Sequence, residues 1–179
     1  MTEPVHAEPM IRVVRRPHFF EGRLLSSADL AQEQEYHRDM RYLANRALGF
    51  GVVEGLNVHV RGDGITVSPG FAIDSHGREV VLAHAVHLAA DEALLSACPN
   101  PVVTATWAEV LDGALASSDP ANDPTFASWL EQPVISIEPA TMVRPPSLVL
   151  AKIRRRRKTG LTIDVTPRQA FRLRVAPVA

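Results

Sequence analysis

Several common constituents are scarce in this chain, and each scarcity closes off a class of explanation. There is one cysteine, Cys98, so no disulfide within the chain can staple the fold. Phenylalanine, tyrosine and tryptophan make up only 6% of residues, which beside the proline and glycine content speaks against a few long helices. An excess of charge is lacking as well: 19 Lys and Arg against 20 Asp and Glu leave a formal charge of −1, so no global field favours nucleic acid or an anionic membrane. No uninterrupted apolar run approaches the roughly 20 residues that cross a bilayer, and the opening MTEPVHAEPMIR has no apolar stretch of signal-peptide length. These features lead to the expectation of a cytoplasmic protein with no nucleic-acid partner and no direct membrane insertion.

What is present fits a single globular domain or a domain with an appendage: 179 residues, 46% hydrophobic and 22% charged. Fourteen prolines and 10 glycines favour many short elements over a helical bundle. Residues 1–25, with Pro4, Pro9 and Pro17 among Arg12, Arg15 and Arg16, keep no period and read as an extended arm whose Phe19, Phe20, Leu24 and Leu25 need a surface to dock on. Ser26 and Asp29 form a capping-box pattern that opens a helix, residues 26–50, with Tyr36, Met40, Leu43 and Ala47 as its narrow apolar stripe and Gly49 as its C-cap.

After Gly51 the period changes to two. Leu56, Val58 and Val60 alternate with polar residues, Gly62-Asp63-Gly64 turns the chain, and Ser75-His76-Gly77 turns it again, which gives a meander of short strands. Links this short exclude parallel crossovers, so the expected class is α+β, mainly β: arm, one long helix, then a mostly antiparallel β domain over 51–179. Strands are expected over Val102–Leu111, Val134–Glu138, Leu148–Ile153, Leu161–Val165 and Phe171–Val175, with a helical turn in DEALLSACPNP. Residues 112–133, rich in Asp, Pro, Ser and Ala, read as an insertion loop with a short helix around Trp129.

Gly49-Phe50-Gly51-Val52-Val53-Glu54-Gly55 has the wrong spacing and the wrong element order for a dinucleotide fingerprint and reads as a hinge. His84 and His87, with His76 and Asp91 nearby, lack the third well-placed donor of a metal site, and Asp74 reads as a turn former rather than a general base. Arg61-Gly62-Asp63 is a hairpin turn. No GxSxG elbow, P-loop or paired-cysteine pattern occurs, so the chain is expected to be no enzyme and to need no cofactor or metal. Arg154, Arg155, Arg156, Arg157 and Lys158, without interleaved aromatics, read as a solvated turn that meets an acidic protein surface.

The stretch RPHFFEGRLLSSADLAQEQEYHRDMRYLANRALGFGVVEGLNV, continued by GITVSPGFAIDSHGREVVL, resembles the N-terminal region of proteins encoded with contractile injection systems and phage-like tails. Leu148–Ile153 followed by Gly160–Asp164 is similar to strands that close baseplate and tail-fibre base domains. The resemblance implies a structural subunit of a phage-tail-like particle, in the baseplate or at a tail-fibre attachment, that forms a homo-oligomer, a trimer, and docks on other tail or baseplate subunits. It implies no catalytic residues. The rival is a carbohydrate- or receptor-binding module of a tail appendage, with Trp107, Phe126 and Trp129 as its platform. On the first reading the interface residues are Phe19, Phe20, Leu24 and Leu25 of the arm, Tyr36, Met40 and Leu43 of the helix, and Arg154, Arg155, Arg156 and Arg157 of the basic turn.

Overall fold

The computed structural model describes residues 14–115, 125–156 and 160–173. The chain falls into two units, one ending at Arg41 and the other beginning at Tyr42. In the first, residues 14–26 have no regular structure apart from a turn at Glu21-Gly22, and helix α1, Ser27–Leu48, begins. The expected capping box forms: the Asp29 amide donates to Ser26 Oγ at 3.2 Å, and the Ser26 amide and hydroxyl donate to Asp29 Oδ2 at 3.0 and 2.7 Å. Each bond satisfies a polar group at a helix end that the helix itself leaves open. No residue of α1 is buried, Tyr36 and Leu43 being half-buried and Met40 exposed.

The β body is mostly antiparallel, as its short links require. Strands β1 (Gly49–Gly55) and β2 (Val58–Arg61) face β4 (Gly70–Ile73) and β3 (Gly64–Val67) in one register: Arg61 is opposite Gly64, Val58 opposite Val67 and Gly55 opposite Gly70. The expected hairpin is therefore longer than two strands. It is a single long hairpin folded across a corner, and β5 (Glu79–Leu82) and β6 (Val86–Ala89) line β4 and β3 on the far side, which makes the expected meander. At the corner, Leu56 N donates to Pro69 O at 3.1 Å and Ser68 N to Asn57 O at 2.9 Å, so pairing continues through the bend. Leu56 takes φ +51°, a left-handed conformation unusual for leucine, with its side chain fully buried.

Helix α2, Glu92–Ala97, supplies the expected helical turn and is capped by Asp91, whose carboxylate accepts from the Leu94 amide at 2.8 Å. A second sheet follows, in the order β10 (Val134–Pro139), β7 (Pro101–Thr106), β11 (Leu148–Arg156), β12 (Gly160–Asp164). Its buried Val103, Ala105, Ile135, Leu148, Leu150, Ala151 and Ile153 share one core with Val52, Leu56, Val58, Ile65, Val67, Ala72, Val80 and Leu82 of the folded hairpin sheet. The run Leu148-Val149-Leu150-Ala151 breaks alternation because a bulge lies between Val149 and Ala151, so Leu150 and Ala151 are both buried.

The expected strand Val102–Leu111 is interrupted at Trp107-Ala108, after which β8 (Glu109–Leu115) pairs with β9 (Thr125–Glu131) in a separate two-stranded ribbon. The register does not change across the break: Pro139 faces Pro101, Val134 faces Thr106, Glu131 faces Glu109 and Thr125 faces Leu115. The described parts of the insertion 112–133 thus belong to the outer half of a long hairpin whose inner half belongs to the core, and the helix expected around Trp129 is corrected to strand. Apolar pairs such as Trp129-Leu130 place one side chain on each face, which hides the two-residue period.

Three other expectations are corrected. Gly49 is not a left-handed C-cap; with φ +142° it opens β1, where any Cβ would collide with the carbonyl of Arg172 in β13, Arg172–Leu173. The segment read as a hinge, Gly49–Gly55, is β1 itself, with a register shift between Val52 and Glu54. Val60 leaves the buried face of Leu56 and Val58 and is 42% exposed, since it lies near the hairpin end.

Candidate interaction surfaces

The polar residues singled out in the sequence are chiefly engaged in holding the body's turns. Asp74 is fully buried; its Oδ1 accepts from the amides of His76 (2.8 Å) and Arg78 (3.0 Å), and its Oδ2 from Arg78 Nε at 2.7 Å. The turn-former reading of Asp74 holds. The same guanidinium lies 4.5 Å over the Trp107 ring. Asn45, near the end of α1, donates to Gly77 O and Glu79 Oε1 at 2.8 and 2.7 Å, and Gly77 (φ +86°) lets the Tyr42 carbonyl come close where a Cβ would clash. Residues that carry the family resemblance, Ser68-Pro69-Gly70 and Asp74 to Glu79, are therefore corner and turn pieces.

A residue that drew no notice in the sequence completes the corner. Arg168 donates through Nη1 to Leu56 O at 2.9 Å and through Nη2 to Gly55 O at 2.5 Å, and burial pushes its guanidinium below the usual arginine range. Next to it, Gln169 joins the two sheets: its amide donates to Val149 O, its Oε1 accepts from the Val149 amide at 2.9 Å, and its carbonyl accepts from Val52 N at 2.7 Å. One residue thus satisfies backbone groups beside both bulges. No local motif announces such a role, because the partners lie over a hundred positions upstream for Arg168 and 20 for Val149.

The histidines do not converge. His87 Nδ1 lies 3.2 Å from Thr66 Oγ1 across the β3–β6 pair, His76 belongs to the Asp74 turn, and Asp91 caps α2. Among the described residues no group of three or more His, Cys, Asp or Glu could hold a metal ion, and no helix is long and apolar enough to cross a membrane. Cys98 is buried, and burial pushes its thiol up, with the Glu138 charge adding to the shift.

The basic run is corrected from turn to strand: Arg154, Arg155 and Arg156 are the end of β11. Alternation sends neighbours to opposite faces, where Arg154 pairs with Asp164 at 2.6 Å and Arg155 with Glu92 at 3.2 Å. Arg154 and Arg155 thus each meet a carboxylate within the chain. The Arg156 side chain, Arg157 and Lys158 lie outside the described residues. Hydrogen bonds from Thr166, and then Arg154, hold the Asp164 carboxyl below the usual carboxylate range.

Exposed large apolar side chains are spread along the described chain, and among them are an arm group and a ribbon group. In the arm, Val14, Phe19, Phe20, Leu24 and Leu25 are exposed, Leu24 at 92%. On the ribbon, Val110 and Leu130 stand opposite each other on one face, and Leu111 and Trp129 on the other, all exposed. The sequence reading missed Val110, Leu111 and Leu130; the mirrored ends Glu-Val-Leu and Trp-Leu-Glu are the signal that marks them. The aromatic platform does not assemble as expected, since Trp107 packs against the core beneath Arg78 while Trp129 is 64% exposed, and the Phe126 side chain lies outside what is described.

No family model matches the chain, and no curated protein matches it in sequence. Its fold does have solved counterparts. A chain in the cryo-electron microscopy structure of the type VI secretion system TssK-TssF-TssG baseplate subcomplex superposes with a TM-score of 0.54 at 12% identity, over 85% of this chain and 60% of that one. The crystal structure of TssK matches with a TM-score of 0.49 at 14% identity, over 85% of this chain and 41% of its own. The chain accordingly spans less than two thirds of either counterpart. At these identities the likeness is one of fold.

Proposed function

We propose that the chain is a structural subunit of the baseplate of a contractile secretion or injection apparatus, acting by docking to neighbouring subunits and to further copies of itself rather than by catalysis. The observation that carries this reading is the fold likeness to a chain of a baseplate subcomplex over 85% of the present sequence. Exposed apolar side chains on the ribbon and on the irregular arm are in keeping with it, since protein–protein contacts cover such groups. The polar groups Asp74, Arg78, Arg168 and Gln169 bind backbone and one another.

The test is cofractionation. An affinity-tagged chain, expressed in its own host, is expected to purify with sheath and baseplate proteins and to sediment with the assembled apparatus. Recovery of the chain only as free protein, from cells that contain assembled particles, would overturn the reading.

A further inference from the structure

The long hairpin that starts in the core and ends in the ribbon has an outer strand made of β9 and β10, and among the described residues no strand pairs with its outer edge. Which backbone groups that edge presents follows from the pairing, because opposite residues of an antiparallel pair exchange bonds only at every second position. The Gln132 amide donates to the Ala108 carbonyl at 3.0 Å and the Ala140 amide to the Asn100 carbonyl at 3.2 Å, both in the register that runs through the hairpin. Even-numbered residues of the outer strand therefore turn their backbone groups inward, and odd-numbered ones turn theirs to the open edge. In β10 that edge is bracketed by Pro133 and Pro139, which stand at outward positions and have no N–H to offer. In β9, Thr125, Ala127, Trp129 and Glu131 present theirs with no such guard, on a strand without lysine, arginine or histidine.

This strand is complementary to itself. Its sequence, TFASWLE, is centred on Ser128. Laid antiparallel to a second copy with Ser128 opposite Ser128, each outward residue meets another: Ala127 meets Trp129 and Thr125 meets Glu131, so every open donor and acceptor is used and no like charges are opposed. Side chains fit in the same arrangement. Trp129 is 64% exposed and shares its ribbon face with Ala127 and Gly113, which lie so close that a Cβ on the glycine would come within 3.3 Å of the alanine methyl. In the paired sheet the indole extends over the Ala127 and Gly113 of the second copy, where small residues leave room for it. The outer edge of β8 lacks this fit: centred on Asp112, it would set Asp112 against Asp112, and Gly113 at φ +68° takes it out of the extended conformation. We infer that two copies of the chain join by antiparallel pairing of β9 with β9 about a two-fold axis at Ser128, each placing Trp129 on the Ala127 and Gly113 step of the other. This rests on the self-association in the proposed function and deepens it by naming the surface, which is the same on both copies and closes at two.

The test is cross-linking at the axis, on the full chain in a Cys98→Ser background. Position 128 opposes itself between the backbone bonds, where Cα atoms stand about 4.5 Å apart and a disulfide can close. Position 130, exposed on the same ribbon face, is opposed by position 126 and lies far from its own copy. Ser128→Cys is expected to oxidise to a covalent dimer about tenfold faster than Leu130→Cys, or more. Ala127→Pro removes an outward amide and leaves the bonds between β8 and β9 in place, so it should raise the self-dissociation constant in analytical ultracentrifugation about tenfold or more. Trp129 emission in a Trp107→Phe background should shift to the blue as the pair forms. Equal oxidation of the two cysteine variants, an unchanged dissociation constant for Ala127→Pro, or a wild-type chain that stays monomeric at every concentration would overturn the inference. Because these measurements use the isolated chain, such a failure would leave cofractionation with the baseplate standing as a separate result.

Discussion

Arg168→Met is the substitution that probes the folded corner most directly. The methionine keeps an apolar stem of similar reach while removing both donors, so the packing contribution is largely retained. What is lost is the pair of charge-assisted bonds to Leu56 O and Gly55 O, at 2.9 and 2.5 Å. Each such bond contributes about 1.5–3 kcal/mol. Against that sum stands the desolvation of the guanidinium, visible in its lowered pKa, which the variant no longer suffers. The net loss should be about 2–4 kcal/mol, and it falls on a residue, Leu56, already held at φ +51°. Urea unfolding followed by tryptophan fluorescence should show the midpoint falling by about 1–2 M with an unchanged slope. Arg168→Lys, a single ammonium that cannot span two carbonyls, should recover at most about half of the loss. A midpoint within about 0.3 M of wild type for Arg168→Met would refute the view that this residue clamps the corner.

Leu56→Asp, which puts a charge in a fully buried site, should cost about 3–5 kcal/mol or abolish folding, whereas Val60→Asp, at an exposed site, should change stability by no more than about 0.5 kcal/mol; equal effects in thermal melts would contradict the face assignment. Ser26 hydroxyl and amide hydrogen bonds, helped by Arg23, hold the Asp29 carboxyl below the usual carboxylate range, so its contribution to the start of α1 is present above pH about 4 and fades as pH falls through the lowered value. An NMR titration of the Asp29 carboxyl with its midpoint at or above about 3.9 would count against that cap. Replacing Arg155, Arg156 and Arg157 together with serine removes an exposed ion pair to Glu92 and should cost less than about 1 kcal/mol; a larger loss in a denaturant titration would mean that the end of β11 supports the fold.

Local rules made much of the body readable. Hairpins at Gly62-Asp63-Gly64 and Ser75-His76-Gly77, the Ser26–Asp29 cap and the Asp74 turn all follow from chemistry within a few residues, and the structure contains each of them. The misreadings share a different cause. In sequence only the helical neighbours of Gly49 are visible and they suggest a cap, whereas its conformation answers to Arg172, far along the chain. The basic run looked like a turn because five cations in a row repel, yet strand alternation splits the first two between opposite faces and gives each a carboxylate. Arg168 and Gln169 carry no local signal because their partners are backbone atoms brought near only by the folded β body. The ribbon residues fell between two signals, adjacent apolar pairs concealing a period that register alone reveals.

That constant register also bears on how the ribbon could serve as a docking element. A loop inserted between β7 and β10 would leave its tip free to turn relative to the core. Here the pairing that sets Val134 against Thr106 continues to Glu131 against Glu109, and the Gln132 amide donates to the Ala108 carbonyl at 3.0 Å in between. Strand alternation then fixes which ribbon face carries Leu111 and Trp129 by reference to the buried Val103 and Ala105 of β7. Slipping one residue would exchange the faces of the ribbon and, in the same step, take Val103 and Ala105 of β7 out of the shared core and turn the buried Thr104 hydroxyl into it, which the fold opposes. Orientation of the exposed patch is therefore set by burial elsewhere. The exposed patch thus inherits its geometry from the core without needing stable packing of its own.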